Sequence, residues 1–304
     1  MAQFLYKTVK PSGGDYTSLE ACMNANEQNL TGDGWFDVEI DGTWSSADTT
    51  AVTIHNYTTT ASDYINIYTT STARHDGIAN GVGYHLSQNG YLIDTLTNSV
   101  NNVTIDGLKI TAGGDTYRSA IFSVGSSVVI KNNLIPSTHG KGMNFLHAGD
   151  TTIYNNFICE SDTDAIYCYG WALFKIYNNT CKRNISYGGG GLTAAAKNNY
   201  AASYIGTYVD GFTTNAAADT TGDPAGLDNI AFDTSTFVNV TAGTEDLHIK
   251  VGCSLIDVGT DLSAIFTTDI DGVTRSGTWD IGADEYVAAG GENIGRLLCN
   301  IQIH

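Results

Sequence analysis

The sequence predicts an all-β chain: a single-stranded right-handed parallel β-helix, a solenoid of rungs with a helix capping its N-terminal end. Three observations lead there. A motif recurs at intervals of about 23 residues through the middle of the chain. Residues inside each copy alternate apolar and polar, and the composition favours strands and tight turns over helices.

The repeat carries most of the weight. VTIDGLKI at 103–110, VVIKNNLI at 128–135, TTIYNNFI at 151–158 and FKIYNNTC at 174–181 align, with a degenerate AAAKNNYA at 194–201. Ile105, Ile130, Ile153 and Ile176 are thus separated by 25, 23 and 23 residues. That period is too short for two helices and suits one turn of a three-faced coil. Side chains alternate across a strand, so these isoleucines form one inward column and Ile110, Ile135, Ile158 and Cys181 another. Asp106, Lys131, Tyr154 and Tyr177 then point outward. Windings stack ~4.8 Å apart, which sets like residues upon like. A second strand upstream places Ile121, Met143 and Ile166 inside, followed by Ser123, Phe145 and Cys168. Phe122, Asn144, Tyr167, Leu146 and Tyr169 should therefore face out and, with Tyr154 and Tyr177, make a candidate contact surface.

The asparagine pairs fall where the chain turns between strands. Asn tolerates the left-handed conformation, and its amide can bond backbone in its own turn or the next winding. Asn133, Asn156, Asn179 and Asn199 are read as a structural ladder, with no part in chemistry. This pattern resembles the asparagine ladder of pectate-lyase-like β-helix proteins.

Composition agrees: 34 Gly, 17 Tyr, 3 Pro and only 15% charged residues leave few helix formers and many turns. The formal net charge of −18 argues against a nucleic-acid partner, which would demand a basic stripe. No apolar stretch approaches the ~18 residues of a membrane span. The N-terminal MAQFLYK shows no basic segment followed by an apolar run, so no signal peptide is expected from these residues. Six cysteines without C-x-x-C spacing are expected to be buried free thiols.

An open coil needs caps. Residues 1–30 are expected to supply a strand and a helix, the latter opening on Thr17-Ser-Leu-Glu20 in capping-box form, with Leu19, Cys22, Met23 and Leu30 as its apolar face. Residues 31–286 are assigned to the β-helix. The apolar tail 287–304 is read as a docking or oligomerisation segment. The stretch from Thr8 to Leu19 resembles the opening of many pectate-lyase-like β-helices. Trp279 to Tyr286, containing D-I-G-A-D-E-Y, resembles the terminal motif of bacterial and phage parallel β-helix proteins. Within that resemblance His248, Arg275, Asp280 and Glu285 are expected to hold the last turns together. The scaffold serves surface proteins, polysaccharide lyases, glycosidases and virion spikes alike.

Chemistry is expected on the outer face, where aligned rungs place Ser119, Lys141 and Asp164 in one column, and Tyr117, His139 and Asp162 in another beside Arg118. Arg118, His139, Lys141, Asp162 and Asp164 are the candidate catalytic set. Lys141, His139 or Tyr117 would abstract a proton beside a uronate carboxylate neutralised by Arg118. Alternatively Asp162 and Asp164, ~6.5–7 Å apart on one strand, would act as an inverting acid–base pair. The resemblance to polygalacturonases stops at the S-D-T-D stretch; their G-H-G and R-I-K motifs are missing. No cofactor is assigned. Asp219, Asp223 and Asp228 are the only candidate calcium ligands, without EF-hand spacing.

The reading is a non-enzymatic structural or binding module, most in keeping with a phage virion component: a capsid decoration, spike or tail protein. Its expected partners are other virion proteins, itself in an oligomer, or a polysaccharide. Virion proteins assemble in the host cytoplasm and need no leader. The alternatives are a polysaccharide lyase or glycoside hydrolase, and a secreted or cell-surface adhesin.

Overall fold

The computed structural model describes residues 5–89, 94–113, 118–146, 149–170, 173–188, 193–206, 212–221 and 227–287. Three parallel sheets wrap one core. Among the described residues the first has nine strands, from Leu5–Val9 through Phe36–Ile40, Ile65–Thr69 and the five repeat strands to Phe212–Thr213. Seven strands build the second, from His85–Gln88 to Ala216–Ala217, and seven the third, from Val52–Ile54 to Tyr204–Ile205. Each winding visits the three faces in turn: Val128–Lys131, Leu134–Ile135, then Lys141–Leu146. This is a parallel β-helix.

Register follows the predicted columns. Ile105 pairs with Ile130, Ile130 with Ile153 and Ile153 with Ile176, all fully buried. The file extends upward through Ile67 and Val38 and downward to Ala196 and Phe212. Each buried isoleucine contributes roughly 1.5–3 kcal/mol, so the coil is stabilised by many similar, local contributions. Among the described residues no helix is long and apolar enough to cross a membrane.

The asparagine pairs divide their labour. The first of each pair takes the left-handed turn: Asn132, Asn155, Asn178 and Asn198 have φ of 54°, 53°, 48° and 56°. The second builds the ladder. Backbone N of Asn133 donates to Asn156 Oδ1 at 2.9 Å, Asn156 N to Asn179 Oδ1 at 3.1 Å, and Asn179 N to Asn199 Oδ1 at 3.0 Å. Asn215, which the sequence reading passed over, continues it at 3.0 Å from Asn199 N.

At the N-terminal end the helix Leu19–Ala25 buries Leu19, Cys22 and Met23 on the coil. Its cap is Ser18, one residue later than the capping-box reading, with Ser18 Oγ accepting from Ala21 N at 3.2 Å. Glu20 does not turn back. Its carboxylate accepts from Thr53 N at 2.8 Å and so fastens the helix to the first strand of the third sheet.

The C-terminal region departs from expectation. The last parallel strand among the described residues is Ala216–Ala217, so the coil does not run to 286. Leu227 still bridges Ala216 in parallel, and the residues after Ile230 fold back along the flank as a strap. Phe237, Leu247, Ile249, Ile270 and Ile281 pack on the outward side chains Leu134, Phe157 and Tyr200. Leu262, Phe266 and Trp279 pack on Tyr154 and Tyr177. The turn asparagines anchor it: Asn155 Nδ2 donates to Thr268 O at 2.7 Å, Asn178 Nδ2 to Asp280 O at 3.0 Å, and Asn198 Nδ2 to Thr260 O at 2.7 Å. Tyr154 and Tyr177 are therefore covered by the chain itself and leave the predicted contact surface. The tail after Val287 lies outside the described residues.

Candidate functional site

The outer face of the third sheet is shaped by a corner. Consecutive residues are buried at Ala120 and Ile121, Gly142 and Met143, and Ala165 and Ile166, so alternation breaks there. Small residues suit the corner: a Cβ on Gly142 would stand 2.8 Å from Ile158 Cγ2 and 2.5 Å from Ala165 O. Beyond the corner Lys141 and Asp164 emerge half-buried, with His139 and Asp162 exposed.

The candidate catalytic set lies in one neighbourhood, and three of its members, Arg118, Lys141 and Asp164, are engaged separately. Arg118 Nη1 pairs with Asp94 Oδ2 at 3.5 Å. Asp94 Oδ1 also accepts from Ser119 N at 2.6 Å, which ties Arg118 to the rung above. Lys141 Nζ sits 4.9 Å from the centre of the Tyr167 ring. Asp164 accepts from the Ser186 hydroxyl of the next winding. Burial, then the nearby Asp164 carboxylate, raises the Tyr167 hydroxyl above its usual pKa, so it stays protonated. Tyr117 lies outside the described residues.

Of the predicted contact surface, Tyr169 is exposed and stacks on Tyr167 with ring centres 6.4 Å apart. Phe122 and Leu146 are half-buried. Asn144, paired in register with Phe122 and Tyr167, is buried, and its Oδ1 makes no hydrogen bond. It is not part of the accessible face. What is presented is an aromatic–cationic patch of Lys141, Tyr167 and Tyr169.

Of the predicted calcium ligands, Asp219 and Asp228 are described and Asp223 is not. Asp219 Oδ1 is spent on its own turn, accepting from Thr221 N at 2.9 Å, and Asp228 is exposed.

A second site, on the strap, had not been read as one. Arg275, 5% exposed, is its hub: Nη1 meets Glu285 Oε2 at 2.9 Å, while Nη2 donates to Ala283 O at 2.8 Å and Asn155 Oδ1 at 3.2 Å. Asp280 accepts from Asp257 N at 2.7 Å and Tyr286 N at 2.6 Å, yet burial raises it to about 7. Asp269 is likewise raised to about 7, by burial and then by Asp284 and Asp271. Next to them His248 Nδ1 contacts Asp246, and Nε2 lies 3.0 Å from Asp271 Oδ2. Burial works to lower the His248 pKa; Asp284, Asp246 and Asp271 overcome it and hold the ring well above its usual value. His248, Asp271 and Asp284 offer ligand atoms within 4.8 Å of one another. The resemblance of the terminal motif assigns His248, Arg275, Asp280 and Glu285 to holding the last turns together, while Asp269, Asp271 and Asp284 are not singled out in the sequence.

The sequence matches no known protein-family profile, and no curated protein matches it. Among solved structures, pectate lyase Pel9A is similar over 94% of this chain and 97% of its own length, at 11% identity and a TM-score of 0.34. The class of the protein is therefore defined by its own coordinates: three stacked parallel sheets around one core make it a parallel β-helix protein.

Proposed function

We propose that this chain is a non-enzymatic β-helical module of a virion, a capsid decoration, spike or tail component. In this reading it presents the patch of Lys141, Tyr167 and Tyr169 to a glycan or a partner protein. The observation that supports it most is how the outer-face groups are engaged. Arg118 is held by Asp94, Lys141 lies over an aromatic ring, and Asp164 serves Ser186. A lyase or hydrolase needs those groups converging on one reacting atom. A ring stack flanked by an ammonium is instead a contact surface, apolar with one polar handle. The flank strap and acidic surface suit a particle component, and the terminal D-I-G-A-D-E-Y sequence resembles those of phage β-helices.

The test uses the purified full chain on a glycan array and on assembled particles, alongside incubation with uronate polymers. Retention without any unsaturated or reducing-end product, weakened by Tyr169→Ala, is the expected result. Product release that disappears in Lys141→Ala would replace this reading with a lyase.

A further inference from the structure

We propose that His248, Asp271 and Asp284 bind one divalent transition-metal ion of the zinc class, which fastens the strap to itself beside the coil. The three residues come from separate stretches: the strand Asp246–Ile249, the turn following Ile270, and the terminal motif. Their ligand atoms lie within 4.8 Å of one another, so small carboxylate rotations close them around an ion with bonds of ~2.0–2.2 Å.

The histidine supplies the independent argument. It is 4% exposed, and its Nδ1 is taken by Asp246. A carboxylate on one ring nitrogen fixes the proton there and leaves the lone pair on the other, the arrangement that orients metal-binding histidines. Nε2 faces Asp271 Oδ2 at 3.0 Å, within ion-pair reach but without the alignment of a hydrogen bond. In the protonated ring that contact is an ion pair, and a divalent ion would take the place of the proton between the two groups.

The surroundings are built to the same end. Gly77 leaves room for the ring: a Cβ there would stand 2.4 Å from His248 Cε1. Asp284 Oδ2 accepts from Ile249 N at 2.8 Å, which fixes that carboxylate. Two of the three ligands, Asp271 and Asp284, also line an open cleft of about 200 Å³ that His248 does not border. One imidazole with two carboxylates suits zinc or manganese, whereas calcium and magnesium favour all-oxygen sets.

The test starts from the full chain stripped by a chelator, then dialysed against Zn²⁺ or Co²⁺. The expected result is one ion retained per chain, with visible Co²⁺ absorption that Zn²⁺ abolishes. Metal at ~100 times its dissociation constant should raise the melting temperature by roughly 5 °C. Asp271→Asn, on the half-buried rim, should fold and weaken binding at least tenfold, as should His248→Gln. If the stripped chain retains no ion and melts unchanged with zinc, a protonated imidazole suffices and the proposal fails. Equal retention by wild type and both variants would place the ion elsewhere and fail it too.

Discussion

Ile153 sits between Ile130 and Ile176 in a file of like residues, whereas Arg275 has no counterpart above or below it. In the coil each winding repeats the contacts of the last, and a loss at one level leaves its neighbours in place. The strap gathers Arg275, Asp280, Asp284 and Glu285 from its terminal stretch and His248 from an earlier strand, and buries them together. The coil thus spreads its stability over many equal parts; the strap concentrates its own in a few ionised groups that fail together.

The sharpest way to break that contrast is Arg275→Ala. Removing the guanidinium leaves Glu285 buried without its partner and strips the carbonyls of Gly282 and Ala283. Losing one member of a buried pair costs about 3–5 kcal/mol. Limited proteolysis should then cut within 231–287 while the coil stays protected. Global unfolding with no early strap cleavage would mean the two regions are one cooperative unit.

Acidity sharpens the contrast from the other side. Asp280 ionises in the unfolded chain near the ordinary value of 3.8, but in the folded protein only at about 7. The native state therefore binds the extra proton, and this contribution to stability is full below the unfolded value and lost as pH rises from about 4 to 7. The loss is at most about 4 kcal/mol. Denaturant melts across this range should show a shallower fall in Asp280→Asn than in the natural chain. Parallel slopes would show that Asp280 is ionised throughout.

The coil was legible in the sequence and the strap was not, for a physical reason. Inward columns advertise themselves, because only aliphatic residues tolerate burial at every level, and Ile105 to Ile176 show it. An outward aromatic such as Tyr154 or Tyr177 carries no sign of whether water or another part of the chain covers it; Phe266 stacks on Tyr154 at 4.5 Å. The residues of the strap have no internal repeat, so their motif was recognisable while their position on the flank was not. At the outer face, pairings such as Arg118 with Asp94 join side chains of different windings, and the repeat does not specify how those side chains turn.

Within the coil the ladder offers a smaller and more local effect. Asn156 Nδ2 donates to Ile130 O at 3.1 Å and Tyr154 O at 2.9 Å, and its Oδ1 receives Asn133 N. Asn156→Ala leaves that buried amide unpaired, at about 2–3 kcal/mol. Hydrogen exchange should quicken at Asn133 and its immediate neighbours and remain slow at Asn199. Faster exchange along the whole file would mean that the ladder acts as one unit.

The smallest effect on stability is expected at the outer face, which belongs to neither regime. Tyr169 is 39% exposed, and it lies on the sheet surface away from both the isoleucine file and the strap. Its truncation to alanine should move the denaturant midpoint by no more than about 0.5 kcal/mol, the range of ordinary surface substitutions. Phe145, on the adjacent strand and fully buried, should by contrast cost about 3–5 kcal/mol as alanine. A large loss at Tyr169 would show that the ring pair with Tyr167 is a brace between windings; a small one leaves the pair free to serve a ligand.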